Sequence, residues 1–236
     1  VIEFAINQSD AVTAVSESLK EDTYRFFKVD KNIKVIPNFV DFLLYKNGVD
    51  ANLRSSFASE DERIITHISN FRKLKRVDDV IHIFEGIQQH VPAKLLMVGE
   101  GPELEGVRAL AKSKGLEDKI FFLGKSKRIE QITQISDLFL LPSETESFGL
   151  VALEAMASSV PVVSSNVGGL PEVNIEGKTG FLRPVGDVDS MTSAALTILK
   201  DETSLNQFKK NALEHAKTFD LDTIVPLYED LYRSLV

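Results

Sequence analysis

The sequence has no cysteine in its 236 residues. This excludes a disulfide framework, a thiolate nucleophile and any zinc site built on cysteine. It also fits a reducing compartment, so a cytoplasmic location is expected. Long hydrophobic runs are missing too. None reaches the ~18–20 apolar residues needed to cross a bilayer, and no signal-peptide pattern is visible. Positive charge is in deficit, with 27 Lys and Arg against 35 Asp and Glu, for a net charge of -8. Such a chain binds polyanions poorly, so nucleic acid and anionic membranes are not expected partners. Histidine is scarce. His67, His82, His90 and His215 are the only four, and none stands at metal-ligand spacing, so no metal site is expected. Neither a Ser-His-Asp set nor a G-x-S-x-G elbow is present. There is no initiator Met. Val1-Ile2-Glu3-Phe4 reads as already mid-fold, and a fragment is expected.

What is there is a regular alternation of short β-branched runs with helical patterns. The expected strands are "AVTAVS" (11–16), "IKVIPN" (33–38), "RIITHIS" (63–69), "AKLLMVG" (93–99), "KIFFLG" (119–124), "LFLLPS" (138–143) and "VPVVSS" (160–165), with "TGFLR" (179–183) a weaker one. Most are continuous apolar runs, the pattern of strands covered on both faces. Between them, "VDDVIHIFEGIQQHV" puts Val77, Val80, Ile81, Phe84 and Ile87 on one helical stripe. A second helix is expected to end at Gly115. Residues 187–236 read as three helices, with Asp187 and Thr203 as N-caps and a kink or late start at Pro226. This alternation predicts an α/β fold, a mainly parallel sheet with helices on both faces. In such sheets ligands bind beyond the carboxyl ends of the strands.

Those ends are rich in glycine, serine and charge. In "SETESFGLVALEAMA", Ser147 is placed to cap a helix, leaving the amides near Phe148, Gly149 and Leu150 as an anion site. Leu150, Leu153 and Met156 are expected to face the core. Glu146 and Glu154 suit hydroxyl groups on either side of a phosphate, although a solvated loop acid and a helix-surface acid would read the same. In "NFRKLKR", Arg72, Lys73, Lys75 and Arg76 suit a diphosphate. A basic turn with Arg76 paired to Asp78 or Asp79 fits equally. Gly99 and Gly101 in "VGEGP" lack the third glycine of the dinucleotide fingerprint, so this turn, like "GGLPE" (168–172), also reads as purely structural.

Residues 141–182, "LPSETESFGLVALEAMASSVPVVSSNVGGLPEVNIEGKTGFL", resemble the donor-binding half of a retaining GT-B glycosyltransferase of family 4. The element is Glu146, seven residues, Glu154. "VTAVS", "VIPNFVD", "NFRKLKR", "VGEGP" and "FFLGK" resemble the same family. The wording of "SNFRKLKRVDDVI" and "SSNVGGLPEVNIEGKTGFL" is similar to members of the bacillithiol pathway. The resemblance implies a Rossmann-like doubly wound sheet, the carboxy-terminal domain of a GT-B fold. Residues 1–40 would be a remnant of the amino-terminal acceptor domain with the hinge, 41–218 the nucleotide-sugar domain, and 219–236 a helix crossing back. Leu227, Leu231 and Tyr232 would lean on amino-terminal remnants or another copy, which leaves a homo-oligomer open.

The resemblance also implies a nucleotide-sugar donor, UDP-N-acetylglucosamine, used without a metal or other cofactor, and a small acceptor such as L-malate held mainly by the other domain. Catalytic roles fall on Glu146, Arg72 and Lys75. Donor binding falls on Glu154, Asn70, Gly99, Glu100, Gly101, Gly124, Lys125, Phe148, Gly149 and Leu150. By itself the fragment is expected to bind nucleotide without turnover. A same-fold enzyme with another donor or acceptor, a sugar-nucleotide epimerase and a non-catalytic nucleotide-binding module are the competing readings. Two positions depart from the family pattern: Asn70 stands about where an Arg is usual, and Ser159 where Gly is.

Overall fold

The computed structural model describes residues 1–45 and 50–235. Residues 46–49, inside the expected 41–218 domain, and Val236, the end of the expected last helix, lie outside the described residues. The chain opens with α1 (Ile2–Gln8), β1 (Val12–Ala14), α2 (Glu17–Phe26) and β2 (Ile33–Val35). β1 and β2 pair in parallel as a sheet of their own. There follow α3 (Ala51–Ser55), β3 (Arg63–Ile68), α4 (Val77–Gln88), β4 (Ala93–Val98), α5 (Leu104–Ser113), β5 (Ile120–Gly124) and α6 (Ile129–Gln134). The remainder is β6 (Leu138–Leu141), α7 (Leu150–Ala157), β7 (Val162–Ser165), α8 (Leu170–Val173), β8 (Gly180–Arg183), α9 (Val188–Leu199), α10 (Glu202–Ala216) and α11 (Leu221–Arg233). Among the described residues no helix is long and apolar enough to cross a membrane.

The six strands β3–β8 form one all-parallel sheet in the order β5-β4-β3-β6-β7-β8. The continuous apolar runs have a simple cause. Successive side chains of a strand point to opposite faces, and here both faces are covered. Ile65, Leu95, Leu140 and Val163 pack with α4, α5 and α9 on one face, and their neighbours Ile64, Leu96, Phe139 and Val162 pack with α6, α7 and α10 on the other. All eight of these side chains are fully buried, each stabilising the fold by about 1.5–3 kcal/mol relative to exposure. The expected α/β architecture is therefore present, with every expected strand found and each of them shorter.

Helix ends differ in places. Asp187 caps α9 through Ser190 N, as expected. α10 starts from Asp201, which accepts from the amides of Thr203 and Ser204, so Thr203 is not the cap. Two side chains two residues apart competed, and the carboxylate complements the helix dipole better. Pro226 lies inside α11, which starts at Leu221 all the same, so its missing amide does not delay the helix. α11 is tied to the first segment by Tyr228, whose hydroxyl donates to Ile36 O at 3.4 Å, and by Leu221 N, which donates to Val40 O at 3.0 Å. Of the side chains expected to lean on the first segment or on another copy, Leu227 is 37% and Tyr232 63% exposed.

α7 ends in a left-handed residue that is not glycine. Ser159 has φ +62°, with Val160 N donating to Ala155 O and Ser159 N to Met156 O, both at 2.9 Å. This is the six-to-one and five-to-two pair of a Schellman cap, in which a Cβ is unfavourable. Replacing Ser159 by Gly is expected to stabilise the chain by about 0.5–1 kcal/mol, the relief of strain exceeding the added unfolded-state entropy. Urea unfolding would show a higher midpoint at unchanged slope.

Candidate active site

The sheet order reverses between β3 and β6. Loops leaving the two strands turn to opposite sides and open a crevice at the carboxyl rim. Lys75 comes from the loop after β3 and Glu146 from the loop after β6. Their side chains form an ion pair across that crevice, 18% and 13% exposed. Glu146 Oε1 takes this contact together with the Ser143 hydroxyl at 2.9 Å, whereas Oε2 accepts from nothing among the described residues. One carboxylate oxygen is thus anchored and the other is left for a donor.

The next residues correct two expectations. Ser147 does not cap α7. The N-cap is Gly149, in the left-handed region at φ +97°, with no side-chain cap. Ser147 is exposed, and its carbonyl accepts a 2.6 Å hydrogen bond from Ser16 Oγ. Leu150 does not face the core but is 41% exposed at the mouth of the helix, while Phe148, Leu153 and Met156 are buried. The amides of Phe148, Gly149, Leu150 and Val151 donate to no acceptor among the described residues, and the positive end of the α7 dipole adds to them. The loop holds this shape because Gly168, at φ +54°, lies directly over it. A Cβ there would sit 1.9 Å from Glu146 O. Gly169 N then donates to Glu146 O at 2.9 Å.

Glu154, one turn into α7, is half-buried and pairs with no cation or hydrogen-bond donor among the described residues. Burial holds its carboxyl above the ordinary range. Burial, with Glu154 and Glu130 adding to it, raises the phenol of neighbouring Tyr45 as well. A half-buried carboxylate with no donor has the capacity to accept hydrogen bonds from hydroxyl groups.

The basic loop divides. Arg76, left-handed at φ +47°, is taken by Asp79 at 2.5 Å and Glu144 at 3.1 Å, which is the pairing weighed from the sequence. Arg72 and Lys73 are exposed and form no ion pair among the described residues. Beside them, the ends of β3, β4 and β5 are laced together. Gly99 N donates to Gly124 O at 2.8 Å, and Glu103 N to Phe71 O at 3.0 Å. A Cβ on Gly101 would lie 2.3 Å from Asn70 O, so this turn admits no side chain. Asn70, Glu100 and Lys125 are exposed along the rim, with Lys125 and Glu100 paired loosely at 3.6 Å.

His67 was missed as a site residue because nothing local marks it. It is fully buried on β3. Leu140 O accepts from Nδ1 at 2.9 Å, so Nδ1 carries the proton and Nε2 accepts from Ser69 Oγ at 2.8 Å. Ser69 Oγ in turn accepts from Phe71 N at 3.3 Å. Burial, with Lys75 adding, pushes its pKa down to about 4. A neutral imidazole therefore fixes the turn that leads into Arg72 and Lys75.

A family model described as glycosyl transferases group 1 matches residues 49–215. N-acetyl-alpha-D-glucosaminyl L-malate synthase of Bacillus anthracis is 44% identical over 234 residues, which is 98% of this chain and 61% of that protein. This chain thus spans under two thirds of that relative. Sucrose-phosphate synthase of Thermosynechococcus elongatus superposes over 99% of this chain and 60% of its own, at TM-score 0.88 and 27% identity. Anabaena HepE, solved in complex with UDP-glucose, superposes over 98% of this chain and 66% of its own, at TM-score 0.87 and 25% identity. The fold is that of GT-B glycosyltransferases, and the chain belongs to the group 1 glycosyl transferases.

Proposed function

We propose that this chain is the donor-binding half of a retaining glycosyltransferase that moves N-acetylglucosamine from UDP-N-acetylglucosamine to a small acceptor, L-malate. The observation that carries the reading is the Lys75–Glu146 pair across the crevice, next to the unpaired amides of Gly149 and Leu150. A cation held by Glu146, an open carboxylate oxygen and, three and four residues further on, two open amides are the groups a sugar diphosphate requires. The name of the Bacillus anthracis relative supports the choice of sugar and acceptor, and the UDP-glucose bound by HepE supports a uridine nucleotide.

Each group has a task. The amides of Gly149 and Leu150 meet the phosphate attached to the sugar, with Lys75 beside them and Arg72 reaching the diphosphate from the rim. Glu146 Oε2 accepts from a sugar hydroxyl, and Glu154 from the ribose hydroxyls. The base rests on backbone at Gly124 and Lys125, with Gly99, Glu100 and Gly101 alongside. When the sugar–phosphate bond breaks, negative charge grows on the leaving diphosphate. Donors already fixed in place stabilise that charge without reorganising. The acceptor attacks from the face the diphosphate leaves, and its binding falls mainly to a domain that precedes this one.

A panel of UDP-, GDP- and ADP-sugars tested by thermal unfolding checks the reading. At a hundredfold excess over Kd, UDP-N-acetylglucosamine should stabilise the chain by about 2.7 kcal/mol, which is a rise in Tm of roughly 5–10 °C. Stabilisation by a GDP- or ADP-sugar alone would overturn the donor assignment, and none by any nucleotide would overturn the whole proposal.

A further inference from the structure

α2 is capped from an unexpected distance. Ser16, 1% exposed, is its N-cap and accepts from Leu19 N at 3.0 Å. The two amides before that, Glu17 N and Ser18 N, donate to Glu172 Oε2 and Oε1, both at 2.9 Å. One carboxylate of α8 thus closes two of the donors that a helix start leaves open, and it faces the positive end of the α2 dipole. The Ser16 hydroxyl meanwhile donates to Ser147 O at 2.6 Å. The first segment has a sheet of its own, and these bonds fasten the start of α2 to the rim of the main sheet at two points.

Both points belong to the donor loop or its support. Ser147 lies between Glu146 and the open amides. Glu172 follows Gly168 and Gly169, which clasp Glu146 O, and Leu170, whose Cδ2 would lie 2.6 Å from a Cβ on Gly149. A stretch of five residues therefore touches the donor loop on one side and α2 on the other. If α2 is seated, Glu172 and Ser147 are fixed, and the loop between them loses freedom. Linkage makes the effect reciprocal: whatever orders the loop also favours the seating of α2.

We propose that Glu172 is a positioning residue for the donor loop, coupling its shape to the seating of the amino-terminal segment. This deepens the function proposed above and rests on it only where nucleotide is used in the test.

The test is amide hydrogen exchange on the chain with and without UDP, for the parent, Glu172→Ala and Glu172→Gln. Without ligand, Glu172→Ala should speed exchange about tenfold at Glu17 and Ser18. It should do the same at Gly169 and Ala152, whose amides bond within the donor loop, and leave Ile65 in β3 unchanged. Glu172→Gln, with one carbonyl oxygen for two amides, should recover part of the protection. With UDP, the parent should gain protection at Glu17 and Ser18. Glu172→Ala should lose that response and bind UDP about three- to tenfold more weakly. Faster exchange confined to α2, with Gly169 and Ala152 untouched, would make Glu172 a simple cap and overturn the proposal. Failure of the parent to bind UDP would defeat the nucleotide reading instead, while the ligand-free exchange still decides the coupling.

Discussion

Lys75→Ala, introduced into the complete transferase, is expected to lower kcat by about 10²–10³, or 2.7–4 kcal/mol, the loss typical when one preorganised donor to a developing anion is removed. Lys75 does two things in this structure. Its charge faces the position assigned to the diphosphate, and it anchors Glu146 Oε1. Without it, Glu146 would stand largely buried as an uncompensated acid beside a polyanion, and ground-state binding of UDP should weaken as well. Glu146→Gln keeps the shape but drops the charge. If the two residues act as one unit, the double variant should lose little more than Lys75→Ala alone, because neighbours in one network are not additive. Losses that simply add would mean that Lys75 meets the phosphate without needing Glu146. A full rate in Lys75→Ala would remove this pair from the chemistry.

The second large effect is on stability against pH. His67 has a folded pKa of about 4, against about 6.5 in an unfolded chain. A depressed value means that the unfolded chain takes up the proton first as pH falls. The neutral imidazole therefore contributes stability fully above pH ~6.5, and this is lost as pH drops towards about 4. The shift corresponds to about 3 kcal/mol over that window. His215 is also depressed, chiefly by burial, and acts in the same direction. Asp137 comes into play at lower pH. Burial disfavours its charge, but Lys209 at 2.6 Å, the Ile64 amide at 3.0 Å and Arg54 at 2.9 Å outweigh that and hold its carboxyl below the usual range. Urea unfolding at pH 7.5, 6, 5 and 4 should show the loss. His67→Asn should flatten the slope between pH 6.5 and 4, whatever it does to stability at neutral pH. An unchanged slope in that variant would assign the titration elsewhere.

The sheet was legible because burial on both faces leaves a plain signature. Ile64 with Ile65, or Val162 with Val163, must both be apolar when each faces a different core. α1, α3 and α6 were not read from the sequence. They are short, and neither α1 nor α3 buries a residue, so no stripe marks them. Within the site, local chemistry was readable and distant pairing was not. Glycines and acids marked the loops. That Lys75 would meet Glu146, 71 positions on, or Glu172 meet Glu17, 155 positions back, depends on strand order rather than spacing. Ser147 misled for the same reason. Read locally it is a helix cap, but its carbonyl is engaged by Ser16, and the turn into α7 is made by Gly149 instead.

The uniform direction of the six strands also governs how the chain must assemble. No two of them can zip together across a tight hairpin. Arg63 meets Ala93, and Ile65 meets Leu138, only after everything between has been brought round. Such topologies pay out loop entropy before any contact rewards it, which slows folding. During synthesis the β3-β4-β5 side can form first, with β3 as its open flank. β6 closes that flank when it emerges, so the two halves of the cleft meet only after the strand that follows α6 has been made.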